Sequence, residues 1–557
     1  MLFSFMLIAT ILEMLGLAFV FSIVTALDST NAKDNLFINK LSTFFELDNI
    51  EIIPYLLLAF LVFYIIKIVF LTFYQWFENK FLHTYKENLS SRVFKEYLSQ
   101  NFSYFYNRNT SEFIRNLITE VDIFIIWLVS ILKIALEIIV VIGIFCLLAY
   151  INLYFTISII ITLLFFSFMY FLLFKKKLNT WGIHRQKNIQ KKIQFMKDGF
   201  EGIKIIKLLG RENFFFNKFK IHNVNLSKIS IMTGFTSGLP KLLFELVGIF
   251  FLTSAFAILY YSNKNLIEIA QVLSVYVAAS FRIWPSANKI VSSLQLIKLH
   301  YPAMNVLYDE LKNFKTETQP PYKKFSFNKN IFADIKKFKY PNSNNFEISD
   351  IKLNISKGQK IGIIGPTASG KSTIIEILAG ILEPTEGSII VDEKPISSNL
   401  LGWQKLIGFV PQKIFILDES LRNNILFGLD KEKYTDHQII SLLKKLSLEK
   451  LLKRLPNGLD GNLGEEGINL SGGEIQRIGL CRVLIFDPEI LLLDEATSSL
   501  DIRTESQILD ELKIFKEKTI ISIAHRINTL KNCDMIYRFD NGEVVDHGSY
   551  DKFKIQN

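Results

Sequence analysis

Cysteine is nearly absent from this chain. The three thiols, Cys146, Cys481 and Cys533, are odd in number and lack metal-ligand spacing. Neither a disulfide framework nor a structural zinc site is expected, and the thiols read as reduced. Proline is sparse too, 13 in 557 residues, and few prolines or glycines interrupt the polar segments of the first half. Unstructured loops of that length are uncommon, so these segments read as helical extensions of the apolar runs beside them. Acid is in deficit: 53 Asp and Glu face 63 Lys and Arg, a net charge of +10. A basic balance can mark a nucleic-acid partner. Here the cations gather between apolar runs, so no nucleic acid is expected.

What is abundant is apolar length. Hydrophobic residues make up 50% of the chain and mean hydropathy is +0.28. At 557 residues at least two domains are expected. Six stretches reach the roughly 20 residues a membrane helix needs: about 2–27, 53–76, 124–149, 152–174, 236–261 and 266–290. The first lacks a basic start and a small-residue cleavage site, so it is not a cleaved signal. Lys80, Lys86, Arg92, Lys95, Arg108 and Arg115 lie between spans 2 and 3, and a richer set runs from Lys175 to Lys228 between spans 4 and 5. By contrast, the 3–4 link has no cation and the 5–6 link only Lys264. Both basic segments and both termini are therefore expected on the cytoplasmic side. The predicted organisation is an all-α transmembrane domain of six helices over 1–311, a linker over 312–330 and a soluble α/β domain over 331–557.

The second half carries the chemistry. Gly365-Pro366-Thr367-Ala368-Ser369-Gly370-Lys371-Ser372 follows the strand-like Lys360–Ile364 and leads into a helical run from Thr373. That context suits a phosphate-binding loop: glycines admit backbone N–H groups to phosphate, and the next helix offers its positive end. Lys371 is expected on the β- and γ-phosphates of ATP, and the Ser372 hydroxyl on Mg²⁺. Ile490-Leu491-Leu492-Leu493-Asp494-Glu495 reads as a buried strand ending in two carboxylates. Asp494 suits Mg²⁺, and Glu495 suits the general base that polarises the attacking water. Between them stands Leu470-Ser471-Gly472-Gly473-Glu474-Ile475-Gln476-Arg477.

Together these motifs resemble the ABC ATPases, and the whole chain resembles an exporter-type half-transporter, with its α/β P-loop domain behind the helical one. The resemblance implies that Tyr340 stacks on adenine, that Gln412 senses Mg²⁺ and the coupling helices, that Asp501 belongs to the D-loop and that His525 is the switch histidine. It also implies that Ser471, Gly472, Gly473 and Gln476 complete the nucleotide site of an opposing domain. One copy of each motif and six spans then call for two chains. Since no motif is degenerate, a homodimer with two competent sites is expected. Tyr104 to Asp122 and Phe200 to Glu212 resemble the two cytoplasmic coupling regions of such exporters. The amphipathic helix that usually precedes span 1 is not seen, which suggests a truncated or mis-assigned start.

Charges within spans are costly and usually functional or paired. Lys67, Lys241 and Arg282 lie in spans 2, 5 and 6. They read in two ways: as a ring for an anionic head group such as a pyrophosphate, or as cations that snorkel or pair along a helix. Lys241 with Glu245, and Lys133 with Glu137, have the helical spacing for such pairs. The stretch Phe281 to Ile290 resembles that of bacterial lipid-linked oligosaccharide flippases, although lysine replaces arginine at Lys67 and Lys241. This similarity implies a lipid-linked anionic cargo and a bacterial inner membrane. Export of another lipid, peptide or drug, or ATP-gated regulation, are the alternatives.

Overall fold

The computed structural model describes residues 4–12, 14–16, 53–106, 108–261, 266–314, 323–340, 346–468, 470–495, 517–524 and 526–554. The chain forms two compact units, one of Met1–Gln100 with Arg108–Lys315, the other of Asn101–Asn107 with Thr316–Asn557.

The first unit is helical. Its elements are α1 (Ile53–Ser99), α3 (Thr110–Arg115), a π-helical turn (Asn116–Glu120), α4 (Val121–Ile151), α5 (Leu153–Glu201), α6 (Ile203–Leu209), α7 (Glu212–Tyr261) and α8 (Leu266–Asn313); α2 (Phe102–Tyr106) belongs to the second unit. Among the described residues, Leu57–Ser99, Thr110–Ala149, Leu153–Glu201 and Glu212–Tyr261 are long and apolar enough to cross a membrane. The sixth expected span falls within α8. Most of the first expected span, and the stretch 28–52 after it, lie outside the described residues. At ~1.5 Å per residue α5 measures roughly 70 Å, against a hydrocarbon core of about 30 Å. The surplus is polar sequence that continues as helix, because nothing in it breaks the hydrogen-bond ladder.

Val140, Ile144 and Leu148 of α4 pack with Ile159 and Leu163 of α5, Phe244 of α7, and Tyr276 and Ile283 of α8. Polar backbone in such a core must find partners. Pro240 lies inside α7 and has no N–H to offer the carbonyl of Thr236 one turn earlier. Two neighbouring helices supply donors: the Tyr170 hydroxyl of α5 at 2.6 Å and Gln295 Nε2 of α8 at 3.2 Å. The tight α4–α5 turn is held similarly. Asn152 leaves helical geometry, its side chain accepts from the Phe155 N–H at 3.2 Å, and its carbonyl accepts from the Tyr276 hydroxyl at 3.0 Å.

Beyond the apolar runs, buried and partly buried charges pair with one another. Arg108 forks onto Glu310 and reaches Glu112 at 2.7 Å. Arg115 donates to Gln190 at 2.7 Å. Fully buried Glu120 lies 3.7 Å from Arg115 and 3.5 Å from Arg185. Three arginines thus meet three acids drawn from the segment before α3, from α3, the π-helical turn, α5 and α8, and pairing is what makes the burial of Arg115, Glu120 and Glu310 tolerable.

The second unit is an α/β fold. One sheet runs β2–β1–β4–β5, from β1 (Asn330–Lys339), β2 (Glu347–Ser356), β4 (Glu386–Val391) and β5 (Lys394–Pro395), and is antiparallel. The other runs β10–β9–β3–β8–β7–β6, from β3 (Lys360–Ile364), β6 (Ile407–Val410), β7 (Ile490–Asp494), β8 (Thr519–Ile523), β9 (Met535–Asp540) and β10 (Glu543–Gly548). It is parallel apart from the β9–β10 pair. Strands β3 and β7 are buried almost throughout, as central parallel strands covered on both faces must be. Phe325 and Phe327 are buried in this unit's core, so its packing begins inside the stretch expected as linker.

Replacing Tyr170 with Phe and Gln295 with Leu together leaves the Thr236 carbonyl orphaned in the first unit's core. The double variant should lose about 1–3 kcal/mol of stability, read as a lower thermal midpoint in detergent; an unchanged midpoint would contradict the capping role.

Candidate functional site

The phosphate loop spans Gly365, Pro366, Thr367, Ala368, Ser369 and Gly370, between β3 and α9 (Lys371–Leu378). Two glycines shape it. A Cβ on Gly365 would lie 2.2 Å from the Phe539 carbonyl oxygen, and Gly370 adopts φ 100°; both conditions suit glycine alone. The loop thereby delivers the unsatisfied N–H groups at the start of α9 to one point.

Three charged groups are buried at this end of the sheet. Lys371 is 5% exposed and folds back, donating to the carbonyls of Gly365 at 3.0 Å and Pro366 at 2.7 Å. The Ser372 hydroxyl donates to Asp494 Oδ1 at 3.1 Å. Glu495, at φ 49°, holds a backbone conformation uncommon outside glycine, and Gln412 Nε2 donates to its Oε2 at 2.6 Å. Burial pushes the Asp494 carboxyl up, and the neighbouring Glu495 charge adds to this. Burial also pushes the Lys371 ammonium down, against the pull of Glu495 and Asp494. Glu376 on α9 is raised by burial and by Asp494. A hydroxyl, an amide and a carboxylate oxygen, all hard donors, suit Mg²⁺ shared with phosphate. Tyr340 is joined to this group by a 2.9 Å hydrogen bond between its hydroxyl and that of Thr373.

Ser471 lies apart in hydrogen bonding. It caps α10 (Gly472–Leu484) by a reciprocal capping box, accepting from the Glu474 N–H at 3.3 Å while the Glu474 carboxylate accepts from the Ser471 N–H at 2.7 Å. Although partial burial raises the Glu474 carboxyl, bonds from Ser471 and Arg454 hold it below its ordinary range. Gly472 and Gly473 open the helix; Gln476 is buried, and its Oε1 lacks a hydrogen-bond partner among the described residues. No hydrogen bond among the described residues joins Ser471 to the phosphate loop. Asp501 and His525 lie outside the described residues.

Each cation of the expected ring has a neighbour of its own. Lys67, 9% exposed, stands 4.9 Å over the Tyr64 ring. Lys241 is largely exposed and 3.9 Å from Glu245. Arg282 is 3.9 Å from Glu137, which also accepts from Lys289 and Ser286, each at 2.6 Å. Glu137 is thus engaged by α8 rather than by Lys133 on its own helix. Sequence spacing could not reveal Lys289 as a partner, since it lies 152 residues away.

A nucleotide-type loop, a hydroxyl–carboxylate pair and a following acid, joined in one chain to membrane-length helices, define a fused permease and ATP-binding protein. Residues 348–498 match the family described as ABC transporter, and residues 1–285 match the ABC transporter transmembrane region. The chain therefore belongs to the ABC transporter family. It is 31% identical over 304 residues to the probable multidrug resistance ABC transporter ATP-binding/permease protein YheI of Bacillus subtilis, covering 53% of this chain and 50% of the relative. It is 31% identical over 369 residues to the multidrug resistance-like ATP-binding protein MdlA of Buchnera aphidicola, covering 65% and 63%. Against the putative export ATP-binding/permease protein RT0691 of Rickettsia typhi it is 38% identical over 205 residues, covering 36% and 35%. The chain thus spans between about a third and just under two thirds of these relatives' length. A solved structure, of a bacterial Atm1-family ABC exporter with ATP bound, covers 100% of this chain with 97% of its own, at TM-score 0.82 and 21% identity, and shares the fold.

Because burial raises the Asp494 carboxyl, its ionisation costs stability that grows as pH climbs from the ordinary carboxylate range through the raised value. Asp494→Asn should raise the unfolding midpoint of the nucleotide-free protein at neutral pH. A lower nucleotide-free midpoint would contradict the electrostatics described.

Proposed function

We propose that two copies of this chain form an ATP-driven exporter, hydrolysing ATP to move an anionic amphipath out of the cytoplasmic leaflet of a bacterial inner membrane. The observation that carries the reading is the burial of Lys371, Asp494 and Glu495 beside a glycine-shaped phosphate loop. On nucleotide binding, Lys371 would exchange the carbonyls of Gly365 and Pro366 for phosphate oxygens. Glu495, oriented by Gln412, would take a proton from the attacking water as its oxygen bonds to the γ-phosphorus and the bond to ADP breaks. His525 would position the γ-phosphate, Asp501 would lie at the dimer contact, and Tyr340 would carry the adenine. Mg²⁺, held by Ser372, Asp494 and Gln412, would neutralise charge on the β- and γ-phosphates.

Dimerisation follows from the signature segment. Ser471 is bonded within its own capping box, and in this reading the Ser471 hydroxyl with the N–H groups of Gly472 and Gly473 grips the partner's ATP. The test mixes two inactive chains, Lys371→Ala and Ser471→Ala. Sites shared between chains restore one intact site in each mixed dimer, so ATPase activity should reappear on mixing; continued inactivity in verified mixed dimers would contradict the shared site.

The anionic cargo is supported by the cations on the long helices, Lys67 on α1, Lys241 on α7 and Arg282 on α8, with Lys289 beside Arg282 at Glu137. A lipid-linked pyrophosphate is a head group that such cations attract. A second reading, export of a drug-like amphipath, is favoured by the multidrug names of two relatives. Neutralising Lys67, Lys241 and Arg282 together should abolish stimulation of ATP turnover by a polyprenyl pyrophosphate in lipid discs. Undiminished stimulation would contradict the anionic cargo, and stimulation by neutral amphipaths alone would favour the second reading.

A further inference from the structure

Tyr340 is boxed in by aromatic rings of its own unit. Phe338 meets it edge-on, with centroids 4.9 Å apart and planes at 82°, and Phe346 lies tilted at 6.4 Å. Both belong to or pack on the core of the second unit. The third described ring is different in kind. Tyr106 stacks on Tyr340 nearly parallel, with centroids 4.7 Å apart and planes 15° apart. Offset stacking at that separation is how a base sits on an aromatic side chain.

Tyr106 is 48% exposed, and by stacking on Tyr340 it covers one face of that ring. It ends α2, inside the Asn101–Asn107 segment that belongs to the second unit although the chain on either side belongs to the first. Nucleotide motifs and apolar periodicity give no hint of it.

The geometry points to Tyr106 as a stand-in for adenine: it occupies the base-stacking face of Tyr340 until ATP displaces it, and its release signals nucleotide occupancy to the segment joining α1 and α3. The inference rests on the reading of Tyr340 as the adenine platform. An aromatic pair biases an equilibrium by about two- to tenfold. Base and triphosphate contacts together exceed that, so ATP wins, and the competition appears as a lowered apparent affinity.

The experiment uses the full chain carrying Glu495→Gln, in lipid discs, titrated with ATP and separately with inorganic triphosphate. Tyr106→Ala should bind ATP roughly three- to tenfold more tightly. Tyr106→Phe, which keeps the ring, should match the parent, and triphosphate affinity should be the same in all three. Unchanged or weaker ATP binding in Tyr106→Ala would overturn the inference. Tyr340→Ala separates the two premises. If ATP binding survives that change undiminished, the adenine platform itself fails. If ATP binding weakens and the gain from Tyr106→Ala disappears, both stand; a gain that persists without Tyr340 would overturn the displacement.

Discussion

Two carboxylates and an ammonium are buried together where β3 and β7 end, and the second unit is organised around keeping them there. Strands β3 and β7 both pair in parallel with β8, which brings the phosphate loop and the Asp494–Glu495 pair to the same edge of the sheet. Ligands of open parallel sheets sit at that edge. Burial works against all three charges, and the protein answers with local bonds: loop carbonyls on Lys371, a hydroxyl on Asp494, an amide on Glu495. These bonds are made to groups that ATP and magnesium would claim.

The helical unit solves a related problem without a ligand. Pro240 frees a carbonyl, and Tyr170 and Gln295 cap it. Glu137 enters an apolar core and draws Ser286, Lys289 and Arg282 to itself. Six charges from Arg108, α3, the π-helical turn, α5 and α8 pair in one cluster, with Arg115, Glu120 and Glu310 at its buried centre. Thr236 and Glu137 find their partners on other helices, and in the cluster Glu310 and Arg185 do the same, so polar chemistry ties the bundle together where apolar contacts between helices give little direction.

Much of this was legible before the fold was known, and the reason is locality. The phosphate loop needs glycine at positions a few residues apart, and Gly365 and Gly370 meet that need by close approach and by φ. The helical extensions followed from missing breakers, and α5 runs unbroken from apolar into basic sequence. What stayed hidden depends on distant pairing. Helical spacing assigned Glu137 to Lys133, yet Lys289 lies 152 residues away and bonds it. The expected linker, 312–330, took in Phe325 and Phe327 because two aromatic residues carry too short a pattern to reveal a core. Tyr106 sits in sequence among membrane helices and in space on Tyr340.

The central claim is that one nucleotide site is completed by two copies of the chain. Native mass spectrometry of the Glu495→Gln protein, released from detergent in the presence of ATP and magnesium, reads that stoichiometry directly. The account predicts a species of two chains carrying two nucleotides. A single chain retaining one tightly bound nucleotide, with no dimer at any ATP concentration, would contradict it.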